Sequence, residues 1–118
     1  MKMKVDHLLE LIRTRPELLE HDVVLCTIDE YYLYQPTYFM NGAVVNNPGE
    51  NEETCKILAF AKMHDLDKEQ TLACFGRFFR EEVRDHLHDV GHPNIRAFLV
   101  CGWRGVEFYG NALTPRHP

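Results

Sequence analysis

Three residues of the chain occur in an order that could support nucleophilic catalysis. Cys55 is predicted to lie in the first turn of a helix, where free backbone N–H groups and the helix dipole favour the thiolate. His92 and Asn94 follow, in the chain order of a Cys–His–Asn triad. The residues around the cysteine do not form a known protease signature, so a buried structural cysteine is the alternative interpretation.

Two basic residues could instead bind an anion. Lys56 and Arg96 lie near the predicted helix starts at Asn51 and Pro93, whose free N–H groups would add hydrogen-bond donors. The structural alternative is ordinary ion pairing at the surface. The hypothesis of a phosphate or carboxylate site therefore depends on the two cations converging.

A histidine-rich segment raises the question of a metal. His86, His88 and His92 alternate with Asp85 and Asp89. Imidazoles two residues apart point away from each other on a helix and converge only in a strand or a shaped loop. We interpret the segment as a solvated polar loop, and we expect neither a metal nor another cofactor.

Asparagines and aromatic residues are the remaining candidates for binding. Asn41, Asn46 and Asn51 have a structural explanation, because asparagine tolerates positive φ and caps turns and helices. Trp103 is expected to pack onto Phe98 beyond the end of the last helix. A run of aromatic residues would suit either a core or a protein interface: Tyr31, Tyr32, Tyr34, Tyr38 and Phe39.

Charge and hydropathy exclude several classes of function. The 118 residues carry 13 Lys and Arg against 18 Asp and Glu, a net charge of -5. This balance disfavours binding to nucleic acid or to an anionic membrane, because both need clustered cations. No stretch approaches the roughly 18 to 20 apolar residues that span a bilayer. Cys26 and Cys101 lie in apolar company typical of buried free thiols, which indicates a reducing, cytoplasmic compartment.

Apolar periodicity predicts about five helices. The residue 52–64 segment is apolar on nearly every face, so we expect it in the middle of the fold. An Asp67–Gln70 capping box should begin the helix that follows it, which runs to about Asp85. The other predicted helices run from Val5 to just before Pro16, from Asp22 to just before Pro36, and from Pro93 to just before Gly102.

Turn signals predict about three short strands. Asn41-Gly42 between apolar flanks predicts a hairpin with a type I′ turn. Residues 105–110 alternate as a third strand, and residues 114–118 are expected to be loose. The fold class is therefore α+β and mainly helical, with a small antiparallel sheet, in a single domain over residues 1–118.

Seven segments, in this order, are similar to those of a known protein family. They are Pro36-Thr37-x-Phe39-x-Asn41-Gly42, Asn46-x-x-Gly49-x-Asn51, Cys55-Lys56-Ile57-x-Ala59-Phe60-Ala61, Gln70-Thr71-Leu72-x-x-Phe75-Gly76, Phe79-Arg80, His92-x-Asn94-Ile95-Arg96-x-Phe98 and Gly102-Trp103-x-Gly105-x-x-Phe108. Together they resemble the HopJ type III effector family. The resemblance covers residues 27–113 and implies a bacterial protein classed with those exported by type III secretion and linked to virulence. It implies no established activity.

Three functions follow as hypotheses, in this order of preference. The first is a non-enzymatic module that binds a protein partner through the asparagine-rich hairpin region and Trp103. The second is a cysteine-dependent hydrolase or transferase that uses Cys55 and His92. The third is a protein that binds an anion or a small metabolite through Lys56 and Arg96.

Overall fold

The computed structural model describes residues 3–116, and within them the chain forms six α-helices and two small antiparallel sheets. The helices are α1 (Val5–Thr14), α2 (His21–Tyr31), α3 (Glu52–Met63), α4 (Lys68–Ala73), α5 (Arg77–Arg80) and α6 (Pro93–Cys101). The strands are β1 (Tyr32–Tyr34), β2 (Phe39–Asn41), β3 (Val44–Asn46), β4 (Val106–Phe108) and β5 (Leu113–Pro115). The predicted class, α+β and mainly helical, is confirmed.

Helix α3 lies in the centre of the fold, as its apolar sequence predicts. Ile57, Leu58 and Phe60 have no accessible surface, and Cys55 and Ala61 are also buried. Helix α1 packs onto this core region through one stripe only, Leu8, Leu9 and Ile12. A helix that is apolar all round must be covered by neighbours, whereas an amphipathic one can lie at the surface.

The second helix is shorter than predicted because its end becomes a strand. Helix α2 starts at His21, with Glu20 rather than Asp22 in the capping position, and stops at Tyr31. Strand β1 follows at once and pairs antiparallel with β5, Leu33 opposite Thr114. The tail from Thr114 was therefore wrongly predicted to be loose as far as Pro115, and its last two residues lie outside the described range.

The predicted hairpin forms, with a different turn. Asn41 pairs with Val44, which leaves Gly42 and Ala43 as the two turn residues. Only Gly42 has positive φ (60°), the pattern of a type II′ turn rather than the predicted type I′ turn. Strand β2 also pairs with β4, so the third predicted strand is confirmed, although it is shorter. Asn41 consequently ends a central strand, with its side chain buried.

The predicted helix from Asp67 to about Asp85 is broken. Its capping box is present, with Asp67 and Gln70 bonded reciprocally, but α4 ends at Ala73. Gly76 has φ 60°, and a Cβ there would lie 2.7 Å from the backbone nitrogen of His21. Only glycine allows this close approach between the start of α2 and the chain after α4. The approach separates α4 from the short α5.

The prediction that Cys26 and Cys101 are buried is wrong. Cys26 and Cys101 are exposed, whereas Cys55 and Cys74 are buried. Both exposed thiols lie on helices beside residues that are apolar in sequence, and apolar neighbours in sequence do not show which face of a helix is buried. Across residues 3–116, no helix has the length and apolar character needed to cross a bilayer.

Candidate functional site

Four asparagines from four parts of the chain form one hydrogen-bonded cluster, which we call the asparagine cluster: Asn41, Asn46, Asn51 and Asn94. The Asn41 amide donates to the backbone oxygen of Asn94 at 2.8 Å and to its Oδ1 at 3.0 Å. Asn94 in turn donates to Oδ1 of Asn46 at 2.9 Å, and Asn51 donates to the same oxygen at 2.7 Å. The cluster thus ties the hairpin β2–β3 to the starts of α3 and α6.

Three members of the cluster form an internal polar network, and the fourth, Asn51, is exposed. Asn41 and Asn46 have no accessible surface, and Asn94 is buried at the first turn of α6. Oδ1 of Asn41 has no hydrogen-bond partner among the described residues, so the cluster retains one unused acceptor. A buried network of this kind specifies one arrangement of the chain, because any shift leaves further polar groups unpaired.

Two residues with strained backbones stand at the ends of the helices that the cluster joins. Asn51 precedes α3 with φ 50°, and His92 precedes α6 with φ 57°. A non-glycine residue in the left-handed region is uncommon, and such strain persists where surrounding contacts impose it. Neither side chain caps its own helix, so both remain directed to other groups.

A groove of about 310 Å³ lies between these two helix starts; we call it the His92 groove. Its polar lining residues are His21, Asn51, Glu53, Thr54, His92 and Asn94. Phe75, Phe78, Pro93 and Ile95 supply the apolar lining. The volume lies at the lower end of the range for ligand sites, which suits one small group or a single side chain.

Two imidazoles flank one phenyl ring in this groove. The ring of Phe78 meets His21 edge-on at 4.8 Å between centroids and His92 at 5.2 Å. Each imidazole also approaches a carboxylate, His21 Nε2 at 3.5 Å from Glu53 and His92 Nε2 at 2.8 Å from Glu82. The carboxylates orient the rings.

Arg96 does not line the groove but holds its rim. Its guanidinium donates to the backbone oxygens of His86 at 2.7 Å and Glu82 at 3.1 Å, and also to that of Gly91. These three carbonyls belong to the irregular segment that leads into His92. The structure therefore uses all three Arg96 nitrogens to shape this segment, which leaves little of the guanidinium for an anion.

Lys56 lies elsewhere and is also engaged. Its Nζ is 2.8 Å from Oδ1 of Asp29 and 5.0 Å from the centre of the Tyr34 ring. The partners of Lys56 belong to α2 and β1, whereas those of Arg96 belong to residues 82–91. The structure therefore does not bring the two cations of the anion-site hypothesis to a common set of partners.

Trp103 packs where the sequence placed it. Its ring meets Phe98 edge-on at 5.0 Å, and its Nε1 donates to the backbone oxygen of Leu66 at 2.8 Å. Gly102 ends α6 with φ 61°, although its ψ of −156° is not that of the left-handed helix. The indole closes the end of α6 against the α3–α4 connection, away from the asparagine cluster.

The surroundings of Cys55 do not favour a nucleophile. Its side chain is buried, and burial is the main cause that raises the pKa of the thiol to about 11. The neighbouring polar groups are Tyr34 and Glu52, and Cys55 is not a lining residue of the groove that contains His92. The first turn of α3 thus lacks the electropositive, accessible setting of reactive cysteines.

We expect iodoacetamide at pH 8 to label Cys26 and Cys101 of the folded protein, and Cys55 only after denaturation. The raised pKa leaves Cys55 overwhelmingly protonated below pH 10, and burial excludes the reagent. Mass spectrometry of proteolytic fragments over time measures the four rates, and the urea-denatured chain is the control. Labelling of Cys55 as fast as Cys26 would contradict this picture and revive the cysteine-enzyme hypothesis.

The histidine-rich segment adds no metal centre to this site. Within residues 3–116, no group of three or more His, Cys, Asp or Glu side chains is arranged to hold a metal ion. His86 instead lies 3.6 Å from Asp89, three residues along the chain.

Sequence reasoning missed half of the groove. It proposed His92, Asn51 and Asn94, which the structure brings together, but not His21 or Phe78. His21 lies at the start of α2, which no periodicity distinguishes from the rest of that helix. The available signal was Gly76, because a glycine inside an apparent helix indicates a break or a close backbone approach.

Comparisons with known proteins agree with this fold. The sequence model of the family described as HopJ type III effector protein matches residues 5–113. The crystal structure of a protein of unknown function, VPA0580, superposes with a TM-score of 0.95 at 43% sequence identity, covering 98% of this chain and 97% of that one. No match was found among curated proteins. The chain therefore belongs to the HopJ type III effector protein family.

Proposed function

We propose that this protein is a small non-enzymatic binding module that receives a basic side chain of a partner protein in the His92 groove. The observation that carries the proposal is the charge of the groove. Its lining contains no Lys or Arg, whereas Glu53 lines it. On the rim, Glu82 contacts His92, and the Arg96 guanidinium is engaged by three backbone oxygens. Carboxylates and amide oxygens around a small opening recognise an ammonium or a guanidinium.

The size of the groove supports one side chain rather than a large ligand. A volume of about 310 Å³ accommodates an extended Lys or Arg, whose aliphatic stem would lie along Phe75, Phe78 and Ile95. The charged end would then reach the carboxylate of Glu53. The net charge of -5 on the whole chain would assist the approach of a basic partner.

The asparagine cluster supports the proposal through rigidity. It fixes the starts of α3 and α6, which carry Asn51, Glu53 and Asn94 into the groove. A rigid site loses less conformational entropy on binding than a loop that must first be ordered. We infer that Asn41 and Asn46 position the binding residues from the interior, whereas Asn51 and Asn94 also line the groove.

The position of Cys55 favours contact over catalysis. A protonated, buried Cys55 does not supply the nucleophile that the enzyme hypothesis needs. A type III effector that acts by binding needs a preformed surface and no catalytic group. Export through type III secretion and a role in virulence stay predictions for this chain.

Binding of short peptides tests the proposal directly. We expect a capped Gly-Arg-Gly peptide to shift the backbone NMR signals of Glu53 and Asn94 with a Kd of about 1 mM, corresponding to about −4 kcal/mol. A capped Gly-Glu-Gly peptide should shift neither signal. The Glu53→Lys substitution should weaken binding of the arginine peptide at least roughly 5-fold, because reversing the charge of one partner of an ion pair replaces attraction by repulsion.

Glu10→Lys is the matched control, since Glu10 is an exposed residue of α1 and does not line the groove. It changes the net charge equally and should leave the Kd unchanged within about twofold. Equal shifts from the two peptides, or equal losses in the two variants, would show that the groove does not recognise a basic side chain.

A further inference from the structure

A second groove, independent of the first, lies on the other side of α5. It has a volume of about 570 Å³ and is formed by α4, α5, α6 and the turn at Pro16–Leu18; we call it the Leu72 groove. Its apolar lining is Pro16, Leu72, Ala73, Phe79 and Leu99. A groove of this size and lining has room for roughly three or four apolar side chains of a partner.

Cations predominate on the rim of the groove. Lys68, Arg80 and Arg84 line it, against Glu17 and Glu69. The Glu17 carboxylate is already held by Arg15 at 2.7 Å, and Arg80 is held by the backbone oxygen of Leu19 at 2.7 Å and by Glu20 at 3.4 Å. Lys68 and Arg84 thus remain against Glu69. Arg84 lies over the Phe79 ring, 6.0 Å from its centre, and has a longer 3.7 Å contact with Asp85. In a chain with a net charge of -5, this rim is locally basic and complements an acidic ligand.

We propose that the Leu72 groove docks an amphipathic helix of a partner protein, with apolar residues on one face and acidic residues beside them. The apolar face fills the groove at i, i+3, i+4 and i+7 spacing, and the acidic flanks meet Lys68 and Arg84. Helices bind grooves in this way, with pockets that take the apolar residues and charged rims that set orientation.

Two synthetic helical peptides with the same Leu and Phe face, one flanked by Glu and one by Lys, test this docking. Fluorescence anisotropy should give at least roughly 10-fold tighter binding of the Glu-flanked peptide at low salt, with the difference shrinking in 0.5 M NaCl. The Arg84→Glu variant should lose roughly 5- to 10-fold for the Glu-flanked peptide and gain for the Lys-flanked one.

Arg104→Glu is the matched control, because Arg104 is exposed and does not line the groove. It should change either Kd by less than about twofold. Leu99→Glu should abolish binding of both peptides, and circular dichroism verifies that each variant is folded. If Leu99→Glu unfolds the chain, the proposal is tested by Arg84→Glu alone, which should reverse the preference from the Glu-flanked to the Lys-flanked peptide.

Several results would overturn the docking proposal. Equal affinity for the two peptides would show that the rim does not select acidic flanks. Equal losses of affinity in Arg84→Glu and Arg104→Glu would show that binding depends on the net charge of the chain and not on Arg84. If stoichiometric dodecanoate displaced the Glu-flanked peptide, the groove would be a binding site for small amphiphiles. If the chain self-associated and Leu99→Glu abolished that association, the groove would be an interface between two copies of the chain. Glu53→Lys should not affect these peptides, so this test and that of the His92 groove fail separately.

Discussion

Replacing Asn46 with alanine should lower the free energy of unfolding by about 3 kcal/mol. Asn46 accepts hydrogen bonds from Asn94 at 2.9 Å and Asn51 at 2.7 Å, and it donates to Oδ1 of Asn94 at 3.2 Å. Its amide also reaches the backbone oxygens of Phe39 and Val44, at 3.4 Å each. Alanine leaves the buried amide of Asn94 without its acceptor.

The size of this effect comes from burial. Asn46 has no accessible surface, so water cannot replace the lost partners without entering the core. Leaving one buried donor unpaired costs about 1–3 kcal/mol, and the vacated volume adds a cavity term. For a chain of this length, 3 kcal/mol should lower Tm by roughly 10 °C.

The neighbouring Asn47 is the matched control. It is exposed, and within residues 3–116 its side chain bonds to Glu50 alone, at 3.2 Å. Asn47→Ala should therefore change the free energy of unfolding by less than about 0.5 kcal/mol. Urea denaturation followed by circular dichroism measures both variants, and similar midpoints for the two would refute the role assigned to the asparagine cluster.

Replacing Phe60 with alanine should have the largest effect, about 3–5 kcal/mol. Phe60 lies on the central helix α3 with no accessible surface, edge-on to Tyr32 at 5.8 Å and tilted against His64 at 4.6 Å between centroids. Its removal leaves a cavity at the junction of α3 with β1. The loss is a large part of the roughly 5–15 kcal/mol that stabilises a typical domain.

Met63, one turn later on the same helix, provides the comparison. Its side chain is 40% exposed, so Met63→Ala should cost less than about 1 kcal/mol. Denaturant midpoints at constant slope separate a change in stability from a change in the unfolded state. If Phe60→Ala were as mild as Met63→Ala, α3 would not be the centre of the core.

Local patterns predicted the elements whose stability is decided within a few residues. The apolar run from Cys55 to Met63 could only be a buried helix, and the Asp67–Gln70 capping box marked the start of α4 correctly. The hairpin was predicted in the right place from Gly42, although its register was one residue off. The contact of Trp103 with Phe98 also followed from sequence spacing.

Contacts between segments distant in sequence determined where the predicted helices end. Gly76 breaks a continuous helical pattern because the backbone of His21 lies against it, and Tyr32 leaves α2 because β5 is available for pairing. Neither partner is near in sequence. Propensity is a weak determinant of structure wherever a distant segment offers hydrogen bonds or requires space.

The site divides in the same way. By itself the sequence determined that this chain is an acidic, mainly helical α+β protein with a buried central helix, because periodicity and charge are properties of short segments and sums. Only the tertiary structure decided that Asn46 and Asn94, 48 residues apart, share hydrogen bonds and that His21 faces His92 across Phe78. Which distant residues come into contact depends on how the helices pack against one another, and a local sequence pattern contains no information about that packing.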